Sequence, residues 1–252
     1  MKSKMAMSGV KRLGILGGMS WVSSLKYYEI INLEIIKLTE GRRTADLVLW
    51  NFDTTEIEPL IAEGKWKSIG ELLQNATNKL INCDVAAILI ASNTIHRVVE
   101  QKLINVPVPF IHIRDALLRE LQRRRINRVA FIGTSATMKG GVYRNLIKGT
   151  AGIDVLLPPE EFWRDIDDII FNRLCRGSIE KGDKEFIARI LEKLQTQAGI
   201  GCVVLGCTEL GLLGLEMPGV EVFDTTEIHA RDAARWSVGR DQLADLPKRG
   251  VI

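Results

Sequence analysis

Two short runs of this chain end in side chains that can do chemistry. In "AAILIASNTIHRVVE" an apolar run from Ala86 ends in Ser92-Asn93-Thr94. In "GCVVLGCTELGLL" an apolar run from Gly201 ends in Gly206-Cys207-Thr208-Glu209. Cys207 falls where a helix is expected to start. Free N–H groups and the helix dipole there lower a thiol pKa from its reference of about 8.5. A thiolate so placed can exchange a proton with carbon or act as a nucleophile. The plain alternative is a packed core cysteine. Ser, Asn and Thr are all favoured N-caps, but one cap needs one such residue. Three in a row leave hydroxyls, an amide and N–H groups for a small carboxylate. Thr208 and Glu209 are expected to cap the second helix. Thr134, at the end of "RVAFIGT", adds a hydroxyl to the same rim. His96 lies two residues past the first turn, where packing or surface exposure is the ordinary expectation.

Leu16-Gly17-Gly18-Met19-Ser20 marks another strand-to-helix turn, with Ser20 as the expected N-cap. It lacks the G-x-G-x-x-G spacing and no Walker lysine follows, so nucleotide binding is not favoured. Its glycines still leave backbone N–H groups open to an anion. The four cysteines, Cys83, Cys175, Cys202 and Cys207, form no Cys-x-x-Cys pair and no zinc pattern. The first three are expected to be small buried hydrophobes.

These turns need strands and helices to hold them. Strands are expected at Arg12–Leu16, Thr44–Asn51, Val85–Ala91, Phe110–His112, Arg128–Ile132, Asp154–Leu157, Cys202–Leu205 and Val220–Phe223. Helical periodicity covers Ser20–Leu38, Lys67–Asn82, Ile95–Leu103, Arg114–Arg125, Gly140–Lys148, Asp165–Leu174, Lys184–Gln197, Glu209–Leu213 and Thr226–Leu246. Continuous apolar strands alternating with helices predict an α/β fold with parallel sheets covered on both faces. "RLGILGGMS" echoes "RVAFIGTSATM", and "VAAILIASNT" echoes "CVVLGCTEL", each pair about 115 residues apart. That repetition predicts two pseudo-symmetric lobes with a cleft at their strand C-termini. The first lobe is expected over residues 1–109 plus a returning C-terminal helix, 224–252, and the second over 110–223.

Composition adds exclusions. The chain has 252 residues, 46% hydrophobic and 26% charged, with a formal charge of +3. That balance is ordinary for a globular protein and too small to argue for nucleic acid. No apolar stretch reaches the ~18 residues of a membrane span. The start carries basic residues but no long apolar region, so no signal peptide is expected. Cysteine usage predicts a reduced, cytoplasmic setting.

"LGILGGMSW" (Leu13–Trp21), "SNTIH" (Ser92–His96), "FIGT" (Phe131–Thr134), "GCTELGLL" (Gly206–Leu213) and "VFDTTEIHARDA" (Val222–Ala233) carry a family resemblance. The chain resembles the aspartate/glutamate racemase superfamily, nearest its GGMSW branch. The resemblance implies a racemase or epimerase working without pyridoxal phosphate or metal, commonly a homodimer. Its ligand would be an amino acid or related carboxylate held between the lobes. Two cysteines flank the substrate Cα in this family. Cys207 matches one, and Ser92 stands at the other. Asn93, Thr94, Thr134 and Thr208 match the positions that hold the α-carboxylate. Met19, Ser20, Glu209 and Asp165 complete the expected substrate contacts. Acidic-amino-acid racemases of this group use a lysine where Asp165 falls by eye, with Arg164 beside it. A shift of one residue would give that role to Arg164. Two other activities stay open: a one-cysteine lyase of the same fold, and a binding protein that keeps the pocket without the chemistry.

Overall fold

The structure, a computed structural model, describes residues 9–139 and 152–240. Strands β1 (Leu13–Gly17), β2 (Leu47–Asn51) and β3 (Ala87–Ile90) form a parallel sheet in the order β2-β1-β3. Strands β4 (Arg128–Ile132), β5 (Asp154–Leu156), β6 (Cys202–Leu205) and β7 (Glu221–Asp224) form a second, ordered β5-β4-β6-β7, also parallel throughout. The strands LGILG, AILI and CVVL are buried at every residue. Helices on both faces require that, and it explains why these strands run apolar rather than alternating. Register aligns the strand ends. Leu16 pairs Ile90 in the first sheet and Ile132 pairs Leu205 in the second. The chain therefore leaves β1 and β3 side by side, and β4 and β6 side by side.

Helix α1 (Trp21–Leu38) starts at Ser20, whose hydroxyl accepts the N–H groups of Val22 and Ser23. Its Tyr27, Ile31 and Ile35 are fully buried, at roughly 1.5–3 kcal/mol per large apolar side chain. They share a core with Leu13, Ile15 and Ala230, Ala233 and Ala234. Those alanines belong to the last described helix, which is capped by Asp224 and spans Thr225–Ser237. It ends there because Gly239 takes a positive φ of 75°. Within the described residues, the helical pattern expected over Thr226–Leu246 ends at Ser237. Residues 241–252, and the helix expected at Gly140–Lys148, lie outside the described residues.

Three further expectations change. Phe110–His112 makes one parallel bridge to Ile88, not a strand. Pro107 and Pro109 withhold backbone donors, and His112 already caps the next helix, Ile113–Arg123. The segment Ile95–Leu103 is a 3₁₀ turn, Thr94–His96, followed by one α-turn, Arg97–Glu100. The helix expected at Asp165–Leu174 is α over Trp163–Asp168, π over Ile169–Arg173 and 3₁₀ over Leu174–Arg176. One helix, Thr54–Ala62, was not anticipated. Asp53 caps it and Glu56 sits three residues on, but Pro59 lies inside and masks the pattern.

Candidate active site

Tight turns carry the strand ends to the site. Gly18 has φ +86°, and a Cβ there would collide with the backbone of Phe52. Gly206 has no room either, because a Cβ would strike the ring of Phe131. These glycines let the turns after β1 and β6 close over their neighbours.

The strand ends meet at a narrow cleft of about 40 Å³, room for no more than a few waters. Ser92, Asn93 and Thr94 line it from the first sheet, and Thr134, Cys207 and Thr208 from the second. Met19 and Glu209 also line it. Two expected contacts do not. Ser20 is buried outside the lining, where it caps α1 and hydrogen-bonds the Cys175 thiol, and Asp165 is exposed outside the lining. Arg164 is exposed too. The structure adds lining residues that sequence reasoning passed over: Ser23, Ile61, Ala91, Ile170, Phe171 and Cys175. Cys83 and Cys175 were both expected to be packed hydrophobes, and Cys83 is instead exposed; Cys175 departs differently. It is half-buried at the cleft wall, and nothing in its neighbours signalled that.

The two turns are tied together by polar contacts. Asn93 Nδ2 donates to Thr225 Oγ1 at 3.0 Å, and Thr225 donates to the Leu205 carbonyl at 2.7 Å. Thr94 Oγ1 lies 3.4 Å from Thr134 Oγ1 and 3.1 Å from Thr137 Oγ1. Capping does not consume this turn. The Ser92 hydroxyl accepts the Ile95 N–H only at 3.5 Å, and Asn93 makes no side-chain cap. His96 supports it from beneath. It is fully buried, its Nδ1 lies 2.6 Å from the Ser92 carbonyl, and its Nε2 accepts the Ile113 N–H at 3.3 Å. A neutral ring with its proton on Nδ1 satisfies both bonds.

The Cys207 turn departs from expectation. The helix after it is a 3₁₀ segment, Leu210–Leu213, without a side-chain cap. Glu209 Oε2 instead accepts from Cys207 Sγ at 3.0 Å and from Thr208 Oγ1 at 2.8 Å. The thiol is pushed well above its usual pKa, first by burial and then by the Glu209 charge. The expected lowering by a helix dipole is corrected: no long helix starts here, and a carboxylate sits at the thiol. Burial, Glu209 and Glu58 likewise push the Cys175 thiol up. Cys202, on β6, is raised by burial to about 12 and behaves as packing. Among the described residues, no group of three or more His, Cys, Asp and Glu side chains could hold a metal ion. No described helix is long and apolar enough to cross a membrane.

A larger groove of about 390 Å³ lies between the helices Ile113–Arg123 and Thr225–Ser237. Five arginines line it, but each is paired with a carboxylate: Asp232, Glu120, Glu227 or Glu34. It lies away from the strand ends.

Two parallel sheets with polar turns converging on one cleft define an α/β racemase-type fold. Residues 16–233 match the Asp/Glu/Hydantoin racemase family model, and the chain belongs to that family. It is similar to a structure from Yersinia pestis described as a candidate Asp/Glu racemase, at 34% identity and TM-score 0.79, covering 90% of this chain and 99% of that one. It is also similar to an aspartate racemase homologue from Pyrococcus horikoshii, at 32% identity and TM-score 0.72, again covering 90% and 99%. A glutamate racemase from Thermus thermophilus is 27% identical over 179 residues, 68% of this chain. The match spans 59% of that relative's length.

Proposed function

We propose that the protein is an isomerase that racemises or epimerises a free amino acid by exchanging its α-proton, without pyridoxal phosphate. The observation that carries this is the convergence of Ser92 and Cys207, from corresponding strand ends of two sheets, on one cleft. Family membership supports it.

In this reading Asn93, Thr94, Thr134 and Thr208 hold the α-carboxylate, and their donors stabilise charge as the Cα–H bond breaks. The Cys207 thiolate takes the proton from one face. The Ser92 side returns a proton to the other. Serine is a far weaker acid than a thiol, so its alkoxide needs relief through water. The raised Cys207 pKa makes its thiolate scarce but strongly basic. An incoming α-ammonium offsets the Glu209 charge, and Glu209, within hydrogen-bond reach of the thiol, can accept the thiol proton. The lobes divide at 1–109 plus 224–252 and at 110–223. The shared core of α1 with the last described helix supports that division. The working form is a cytoplasmic homodimer, which sedimentation would check.

The test is α-proton exchange in deuterated water, followed by NMR with both enantiomers of each amino acid. Exchange with racemisation is expected. Label entering one face only would favour the one-cysteine lyase, and binding without exchange would leave a ligand-binding protein.

A further inference from the structure

We propose that the cleft selects an amino acid whose side chain is uncharged and largely apolar, and disfavours aspartate and glutamate. The proposal rests on the racemase reading for the identity of the α-carbon site. It goes beyond that reading in naming what the rest of the ligand must be.

The polar lining comes from the strand ends. The remaining wall comes from elsewhere: Met19 before α1, Ile61 on the helix Thr54–Ala62, and Ile170, Phe171 and Cys175 on the helical stretch that begins at Trp163. Ile170 and Phe171 sit on the π turn. A π turn shifts the facing of side chains within a helix and recurs at functional sites. Here it belongs to the segment that supplies the apolar wall.

Charge points the same way. Among the described residues that line the cleft, the one charged side chain is Glu209, and none is Lys or Arg. The nearby cations of the wall segment are engaged or turned to solvent. Arg173 binds Asp168 and Asp183, each at 2.5 Å, and Glu180 at 3.4 Å. Arg164 and Arg176 are exposed and outside the lining. A second acid, Glu58, acts on Cys175 together with Glu209, and Arg176 opposes them there with a smaller effect than either acid. A distal carboxylate would give up its water against Ile61, Ile170 and Phe171 with no cation among the lining residues, and would face Glu209. Burying an unpaired ion is costly. An aliphatic side chain meets neither penalty and gains by displacing water from this wall.

The test is isothermal titration of the full chain with both enantiomers of leucine, methionine, aspartate and glutamate. Leucine and methionine are expected to bind at least tenfold more tightly than either acid. Phe171→Lys, at a half-buried position, is expected to raise affinity for aspartate or glutamate at least tenfold and to weaken leucine. Acids that bind wild type as tightly as leucine, or no binding by any amino acid, would overturn the proposal. The wild-type series decides even where the variant fails to fold. Proton exchange on the same samples separates the two readings. The expected binding order with no exchange removes the racemase and leaves the preference. Exchange confined to aspartate and glutamate removes the preference and leaves the racemase.

Discussion

Ser92 in the turn after β3 and Cys207 in the turn after β6 stand at equivalent points, each two residues beyond a fully buried strand, and both face one cleft. Beneath them the two lobes differ. The Ser92 turn rests on a buried ring system. His96 holds its carbonyl, and its ring lies 4.4 Å from that of His112 and 5.7 Å from that of His229. The Cys207 turn rests on acids. Glu209 accepts the thiol, and Asp224 packs so closely on Gly211 that a Cβ there would strike its carboxyl. Two like turns therefore carry unlike chemistry: a hydroxyl residue whose carbonyl is held by an imidazole, and a thiol raised first by burial and then by a carboxylate. Pseudo-symmetry predicts where the reactive groups sit. It does not predict that they are equivalent acids.

The largest effect should come from the thiol. Cys207→Ala is expected to cut α-proton exchange by about 10²–10⁴-fold, the usual worth of a general acid or base. Rates per folded molecule for each enantiomer check it. Unchanged exchange would make Cys207 a packing residue and end the comparison of the two turns as chemical partners.

Ser92→Ala should cost at least about tenfold in racemisation, the low side of what an acid or base contributes, while carboxylate binding persists through Asn93 and Thr94. Ser92→Cys should keep or raise activity, because a thiol ionises far more readily and nearly matches serine in size. If capping were the only role, alanine would cost about 0.5–2 kcal/mol of stability and leave the rates intact.

His96→Asn should be milder. It shortens the hold on the Ser92 carbonyl and loses the bond from Ile113. A net hydrogen bond is worth about 1 kcal/mol, so about a fivefold fall in kcat with KM unchanged is expected. A rise in KM alone would mean that His96 shapes binding rather than the placement of Ser92.

Much of this was legible in the chain. Apolar runs ending in small polar residues located β3 and β6 and the turns after them, because parallel strands buried on both faces have that pattern. The echo between "VAAILIASNT" and "CVVLGCTEL" pointed to two sheets. What stayed hidden depended on tertiary contact. The rise in the Cys207 pKa comes from burial and from a carboxylate two residues on, which periodicity reads only as a cap. Asp165 and Arg164 came forward only from the family resemblance, which aligns them by eye with a lysine. Their helix passes into a π turn, and Ile170 and Phe171 reach the cleft. Cys175 gave no local signal, since its place at the wall is set by first-lobe lining residues, Met19 to Thr94, that are distant in the chain.

The smallest effect on rate, and a clean probe of the supports, comes from pH. His229 is fully buried, with Tyr27 Oη at 2.7 Å on Nδ1 and the Ile111 carbonyl at 2.9 Å from Nε2. Burial lowers its pKa to about 4. The unfolded chain takes up that proton first, so this group's stability is present above about pH 6.5 and is lost as pH falls towards 4. Asp224 runs the opposite way. Burial raises its pKa to about 6, against the bonds it accepts from Thr226. The folded state holds that proton more tightly, so this stability is present below about pH 3.8 and is lost as pH rises through 6. At about 1.4 kcal/mol per pH unit each contribution is about 3 kcal/mol. Between pH 4 and 6 the two slopes cancel. Asp224→Asn keeps an acceptor for the Thr226 N–H but cannot titrate. Relative to wild type, it should lose about 1.4 kcal/mol more for each unit of acidification from about pH 6 to about pH 4. Urea unfolding of both proteins at half-unit steps would show the diverging curves. Parallel curves would mean that Asp224 titrates alike in the folded and unfolded chains, and that the acid beneath the Cys207 turn does not oppose the imidazoles beneath Ser92.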